Sequence, residues 1–134
     1  MRTFQKISDT DGGLVSALDP GDGFGSDVSG VGDLDNDGVP DIAVGAYADD
    51  DGGIDRGAVY VLFLAADGTV KAERKISTVS GDLTAPLDND DWFGMSVAAI
   101  GDLNADGVVE LAVGAPNDDD GHQSRQRLCV VPTS

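Results

Sequence analysis

The second half of this chain restates the first at a constant offset of 69 residues. Phe24-Gly25 returns as Phe93-Gly94, Asp33 as Asp102, and Val44-Gly45-Ala46 as Val113-Gly114-Ala115. The same offset carries Lys6-Ile7-Ser8 onto Lys75-Ile76-Ser77, and Asp49-Asp50-Asp51-Gly52 onto Asp118-Asp119-Asp120-Gly121. The repeat therefore runs through nearly the whole chain without gaps. A period of this size, with several strands in each unit, signals a propeller or solenoid.

Within each repeat one loop concentrates the chemistry. Asp33, Asp35, Asp37 and Asp41 stand at positions 1, 3, 5 and 9 of a nine-residue stretch, with Gly38 at position 6. Alternating hard oxygen ligands are what Ca²⁺ requires, with a backbone carbonyl at position 7, here Val39. Two carboxylates about 4 Å apart repel by roughly 4 kcal/mol at an effective dielectric of 20, so four of them would splay without a cation. The second repeat offers Asp102, Asn104, Asp106, the Val108 carbonyl and Glu110 at the same spacing. With four carboxylates against three, the first loop is expected to bind its ion more tightly. An EF-hand needs a bidentate acid at position 12 and flanking helices. Position 12 is Val44 or Val113, and the flanks Ile42-Ala43-Val44 and Leu111-Ala112-Val113 are short apolar runs typical of buried strands. These are strand–loop–strand sites.

Composition agrees with that picture. Nineteen glycines, 5% aromatic residues and repeated Asp-Gly pairs suit short strands joined by tight turns. Twenty-five acidic against eight basic residues give a net charge of -17, which argues against nucleic acid and anionic membrane surfaces as partners. With 40% hydrophobic residues the chain is no disordered acidic tail. No apolar run approaches membrane-spanning length, so no membrane insertion is expected, and the N-terminal stretch lacks the apolar segment of an export signal. Cys129 is the sole cysteine, expected to pack as a small apolar residue on a strand.

Phe-Gly, then Asp-x-Asp-x-Asp-Gly-x-x-Asp, then Gly-Ala-(Pro) resembles the FG-GAP repeat of integrin α-subunit β-propellers. Phe93-Gly94, the loop from Asp102 to Glu110, and Gly114-Ala115-Pro116 match its parts in order, while Tyr47 replaces the proline in the first copy. The resemblance implies an all-β fold of four-stranded antiparallel blades, Ca²⁺ in the first interstrand loop (two sites per chain), and an extracellular or cell-surface binding role of the cell-adhesion kind. On that template the first blade spans 24–77, with strands at Ser26–Gly32, Ile42–Ala46, Ala58–Ala65 and Lys71–Ser77. The second spans 93–131, with strands at Met95–Gly101, Leu111–Ala115 and Arg127–Val131. The whole chain, 1–134, forms one two-repeat unit, repeat 1 covering about 5–73 and repeat 2 about 74–134.

The second blade lacks a fourth strand, and a spare one stands at Arg2–Ser8, aligned with Lys71–Ser77. Propellers typically need 4–8 blades, so the spare strand is expected to complete the second blade of another copy, head to tail; the other reading is a slice of a longer propeller left with an open edge strand. Three chains would give a ring of six blades and four a ring of eight. A protein or glycan ligand is compatible with such a module.

The other polar residues read more plainly. Asp49-Asp50-Asp51, Asp55 and Asp118-Asp119-Asp120 are expected to form solvated loops, with His122 on the surface. Trp92, standing where the first repeat has Gly23, is assigned either to packing between blades or to recognition. One histidine, one cysteine and no Gly-x-Ser-x-Gly elbow leave no catalytic triad within the chain, so no enzyme is expected. The alternative reading is an accessory domain of a larger glycan- or lipid-directed surface enzyme, which a cleft with metal-free paired carboxylates would favour.

Overall fold

The computed structural model describes residues 5–77, 79, 87–116 and 127–133. Those residues form an all-β molecule of two antiparallel sheets. The first sheet has strands β1 (Phe24–Gly32), β2 (Asp41–Ala46), β3 (Ala58–Leu64) and β4 (Val70–Ile76), paired in chain order. The second has β5 (Ser96–Gly101), β6 (Glu110–Ala115) and β7 (Arg127–Pro132), again in chain order. Each strand matches an expected one to within two residues at either end. β1 starts earlier than expected because Phe24 already pairs with Ala46.

Blade 1 is apolar on both faces, as β3 requires: Ala58, Val59, Tyr60, Val61 and Leu62 are all fully buried. One face, with Ala43, Val59, Val61 and Ile76, packs against Val97, Leu111, Val113, Cys129 and Val131 of blade 2. Cys129 sits buried in that core as a small side chain on a strand, as expected. The other face, with Val44, Ala46, Tyr60 and Leu62, is covered by Leu14 and, less completely, by Ile7, Leu18 and Phe24. The N-terminal segment is tied down there by Val70 N donating to Gly12 O at 2.7 Å. Glu73 adds to this by accepting from Val15 N at 2.5 Å and from Ser16 N at 3.2 Å. Of the expected N-terminal strand, Gln5–Ser8 is not in a strand within the single chain, and its remainder lies outside the described residues.

The Phe-Gly and Gly-Ala elements turn out to be the two sides of the seam between blades. Phe93 is fully buried. A Cβ at Gly45 would overlap the Gly94 carbonyl, and one at Gly94 would overlap Ala58 O. Gly94 has φ +96°, a conformation that side chains disfavour. Glycine at both positions lets backbone meet backbone where the blades touch. Side chains of β1 bridge to the backbone of β5: Asp27 Oδ2 accepts from Val97 N at 2.9 Å, and Ser29 Oγ accepts from Ala99 N at 3.0 Å.

The two main departures from the repeat meet at this seam. Tyr47 and Trp92 stack edge to face, centroids 5.4 Å apart at 71°. Trp92 therefore packs between blades, and its φ of +62° keeps the left-handed conformation of Gly23 at the matching position, φ +74°.

Candidate metal centres

Loops 33–41 and 102–110 join the first and second strands of their blades and share one backbone course. Asn36 and Ala105 both have φ +60°, and Gly38 and Gly107 both have φ +85°. In each loop the leading aspartate closes the turn. Asp33 accepts from Asp37 N at 3.1 Å and Gly38 N at 2.8 Å. Asp102 accepts from Asp106 N at 3.1 Å and Gly107 N at 2.7 Å. Asp37 and Asp106 accept from Val39 N and Val108 N, both at 2.9 Å. Asn104 Oδ1 accepts from Asp106 N at 3.3 Å. The side chains fold the loop around themselves before any ion enters.

The loops then diverge in which oxygens converge. In the first, Asp33, Asp35 and Asp37 each bring a carboxylate oxygen to within 4.8 Å of the others. In the second the convergent set is Asp102, Asp106 and Glu110. Asp41 stands apart from the first set. It is fully buried, accepting from Leu34 N at 2.9 Å and from Leu64 N at 2.9 Å, so it fastens the loop to β3. Glu110 accepts from Leu103 N at 2.8 Å, and its extra methylene brings an oxygen to the cluster as well.

Lys71, a β4 residue that sequence reading left out of the site, reaches over the first loop. Its Nζ lies 2.7 Å from Asp35 Oδ2 and pairs closely with Asp37. The Lys71 hydrogen bond, reinforced by Val39 N, holds the Asp37 carboxyl down at about 2. The bonds to Asp35 and Asp37 push the Lys71 ammonium above its ordinary range. A lysine charge already neutralises one of the four acids of loop 1, which removes the charge basis for ranking the first loop above the second. Among the described residues no basic group pairs with Asp102, Asp106 or Glu110. A signal for Lys71 was present, since Lys71, Glu73 and Lys75 alternate on the sheet's edge strand.

The second acidic loop of blade 1 is not the solvated turn expected. Asp49 is buried, accepting from Tyr60 Oη at 3.1 Å and lying 3.0 Å from Lys75 Nζ. Asp51 accepts from Ser77 Oγ at 2.7 Å and lies 3.4 Å from the same ammonium. Alternate residues of the triplet turn inward because a half-buried ammonium needs compensating charge. Burial and the Asp49 carboxylate push the Tyr60 hydroxyl up to about 12. Burial opposes the Lys75 charge most strongly, but the bonds and charges of Asp49 and Tyr60 together outweigh it and hold the ammonium above its ordinary range. A cavity of about 240 Å³ opens beside this network, lined by Asp19, Asp22, Asp49, Asp50, Asp51 and Lys75. Burial pushes the Asp22 carboxyl up despite the bond it accepts from Asp19 N. Asp118-Asp119-Asp120 and His122 lie outside the described residues.

Sheets of antiparallel strands packed face to face, with an acidic loop in each first turn, define a β-propeller blade pair with candidate cation sites. The FG-GAP repeat model matches residues 24–62 and 93–127, and the chain belongs to that family. It is 44% identical to integrin alpha-6 of Homo sapiens over 120 residues, 82% of this chain and 10% of that protein. Similar matches join it to integrin alpha-6 of Gallus gallus, 43% identical over 116 residues (81% of this chain, 10% of that protein), and to integrin alpha-7 of Mus musculus, 41% identical over 117 residues (83% and 9%). The chain spans about a tenth of the length of these relatives.

Proposed function

We propose that the chain is a calcium-binding β-propeller module with a structural, adhesive role, whose copies assemble head to tail into a closed propeller. The observation that carries the calcium reading is that three carboxylate oxygens converge in the same loop of both blades, from Asp33, Asp35 and Asp37 in one and from Asp102, Asp106 and Glu110 in the other. Asp33, Asp35 and Asp37 would hold the first ion with the Val39 carbonyl, and Asp41 braces the loop from behind. Asp102, Asn104, Asp106, Glu110 and the Val108 carbonyl would hold the second. Like charges this close favour a divalent cation, and the Lys71 ammonium already occupies part of that role in loop 1. Bound ions would fix the first turn of each blade, a structural task with no chemistry attached.

An adhesive role at the cell surface follows the relatives, which are named integrin alpha chains. A non-enzymatic reading is supported at the acidic cavity beside Lys75, because Asp49 and Asp51 are engaged by Lys75, Tyr60 and Ser77. Assembly would pair Arg2–Ser8 of one copy with β7, the edge strand of the described second sheet, in the next, in the way β4 pairs with β3. Isothermal calorimetry with Ca²⁺ tests the metal reading: two ions per chain are expected, falling to one in Asp106→Ala. Absence of binding in the wild type would reject it.

A further inference from the structure

Positions related by the 69-residue offset differ in exposure according to whether a neighbouring blade covers them. On the face of blade 1 that meets blade 2, Val31 and Val61 are 5% and 0% exposed; their counterparts on the outer face of blade 2, Ile100 and Val130, are 38% and 54% exposed. On the opposite side, Val97 of blade 2 is 6% exposed where it meets blade 1, and its counterpart Val28 is 52% exposed. Phe93 and Leu87 are buried in the seam, whereas Phe24 and Leu18 are only partly covered. The conformation repeats too: Gly25 has φ +91° against +96° for Gly94, but nothing lies within 4 Å of its Cβ position. Among the described residues both faces of the seam are thus present, and each is left exposed once.

We infer that the outer face of blade 2, the row Ala98–Ala112–Val130 with Ile100, docks onto the Leu18–Phe24–Val28 face of a second copy in the geometry of the internal seam. Register supports this. Ala98, Ala112 and Val130 are paired across blade 2 as Ser29, Ala43 and Val61 are across blade 1, where Ala43 and Val61 are buried against the neighbouring blade. The inference deepens the head-to-tail reading above and rests on it.

The second seam is built weaker than the first. Internally, Asp27 and Ser29 accept backbone N–H groups of β5. Their counterparts are Ser96 and Ala98, so the bond that Ser29 makes has no acceptor between copies. The Tyr47–Trp92 pair becomes Pro116 and Gly23, with no ring to stack. The internal seam holds the two blades of one chain together, and the weaker one makes assembly reversible.

Sedimentation of the full chain over a range of concentrations tests this with two variants. Val130→Lys puts a charge at the centre of the seam on an already exposed position and should weaken self-association at least tenfold, with an unchanged circular-dichroism melt at low concentration. Ala98→Ser supplies the missing acceptor and should tighten association about fivefold, the effect of one ordinary hydrogen bond. If the wild type associates and neither variant shifts its dissociation constant in these directions, the docking face is wrong while strand-exchange assembly survives. A wild type that stays monomeric at every concentration overturns both.

Discussion

Removing Asp41 should destabilise the cation-free protein, because its carboxylate is first a structural brace. It is fully buried and accepts from Leu34 N and Leu64 N, both at 2.9 Å, joining the metal loop to the end of β3. Hydrogen bonds to a charged acceptor contribute about 1.5–3 kcal/mol each, and Asp41→Ala leaves two donors unpaired. Both donors are only part-buried, so water recovers some of the loss and the low end applies, about 3 kcal/mol in total. For a domain of this size that corresponds to about 10 °C in Tm. The assay is thermal unfolding followed by circular dichroism in excess chelator. Asp37→Ala serves as the contrast, since Asp37 is exposed and bonds Val39 N and the exposed Lys71, and it should melt close to the wild type. If Asp41→Ala melts with the wild type in chelator and loses only the calcium-induced gain, Asp41 is a metal ligand first and the bracing argument fails.

Three further outcomes follow from the same geometry. Lys71→Met frees Asp35 and Asp37, so calorimetry should show two sites of similar affinity in the wild type and a first site about tenfold tighter in the variant, the effect of one unscreened charge at short range; unchanged titrations would mean the ammonium moves aside at no cost. Stability should hold at neutral pH and fall above about pH 10. The Lys75 ammonium and Tyr60 hydroxyl both keep their protons longer folded than unfolded, so what they contribute is present below their unfolded values and lost as pH rises through the folded ones. Lys75→Met should flatten that alkaline slope in a pH series of urea melts. Gly45→Ala forces a methyl group into the Gly94 carbonyl, and should lower stability by at least about 3 kcal/mol in urea unfolding.

What could be read in advance was local. The repeat, the loop spacing and the strand alternation each depend on residues close in sequence, and every blade strand fell within two residues of its expected place. The parts that were missed depend on which distant residues the sheets bring together. Lys71 meets Asp37 from 34 positions away because β4 runs back past the loop, a register no spacing rule contains. The Asp49–Asp51 triplet looked solvated because consecutive acids usually are, yet Lys75 lies behind it at the sheet edge. Asp41 kept the ninth-position spacing of a ligand but took a bracing role, since the half-buried end of β3 needed an acceptor. Tyr47 and Trp92 each looked like a lone departure from the repeat; only the seam shows that they compensate each other.

Native mass spectrometry of the calcium-loaded chain addresses the central claim most directly, because one spectrum reports both assembly and metal. The account predicts ions of three or four chains carrying two calcium ions per chain, which fall to monomers with chelator. Monomeric ions without bound calcium would contradict it.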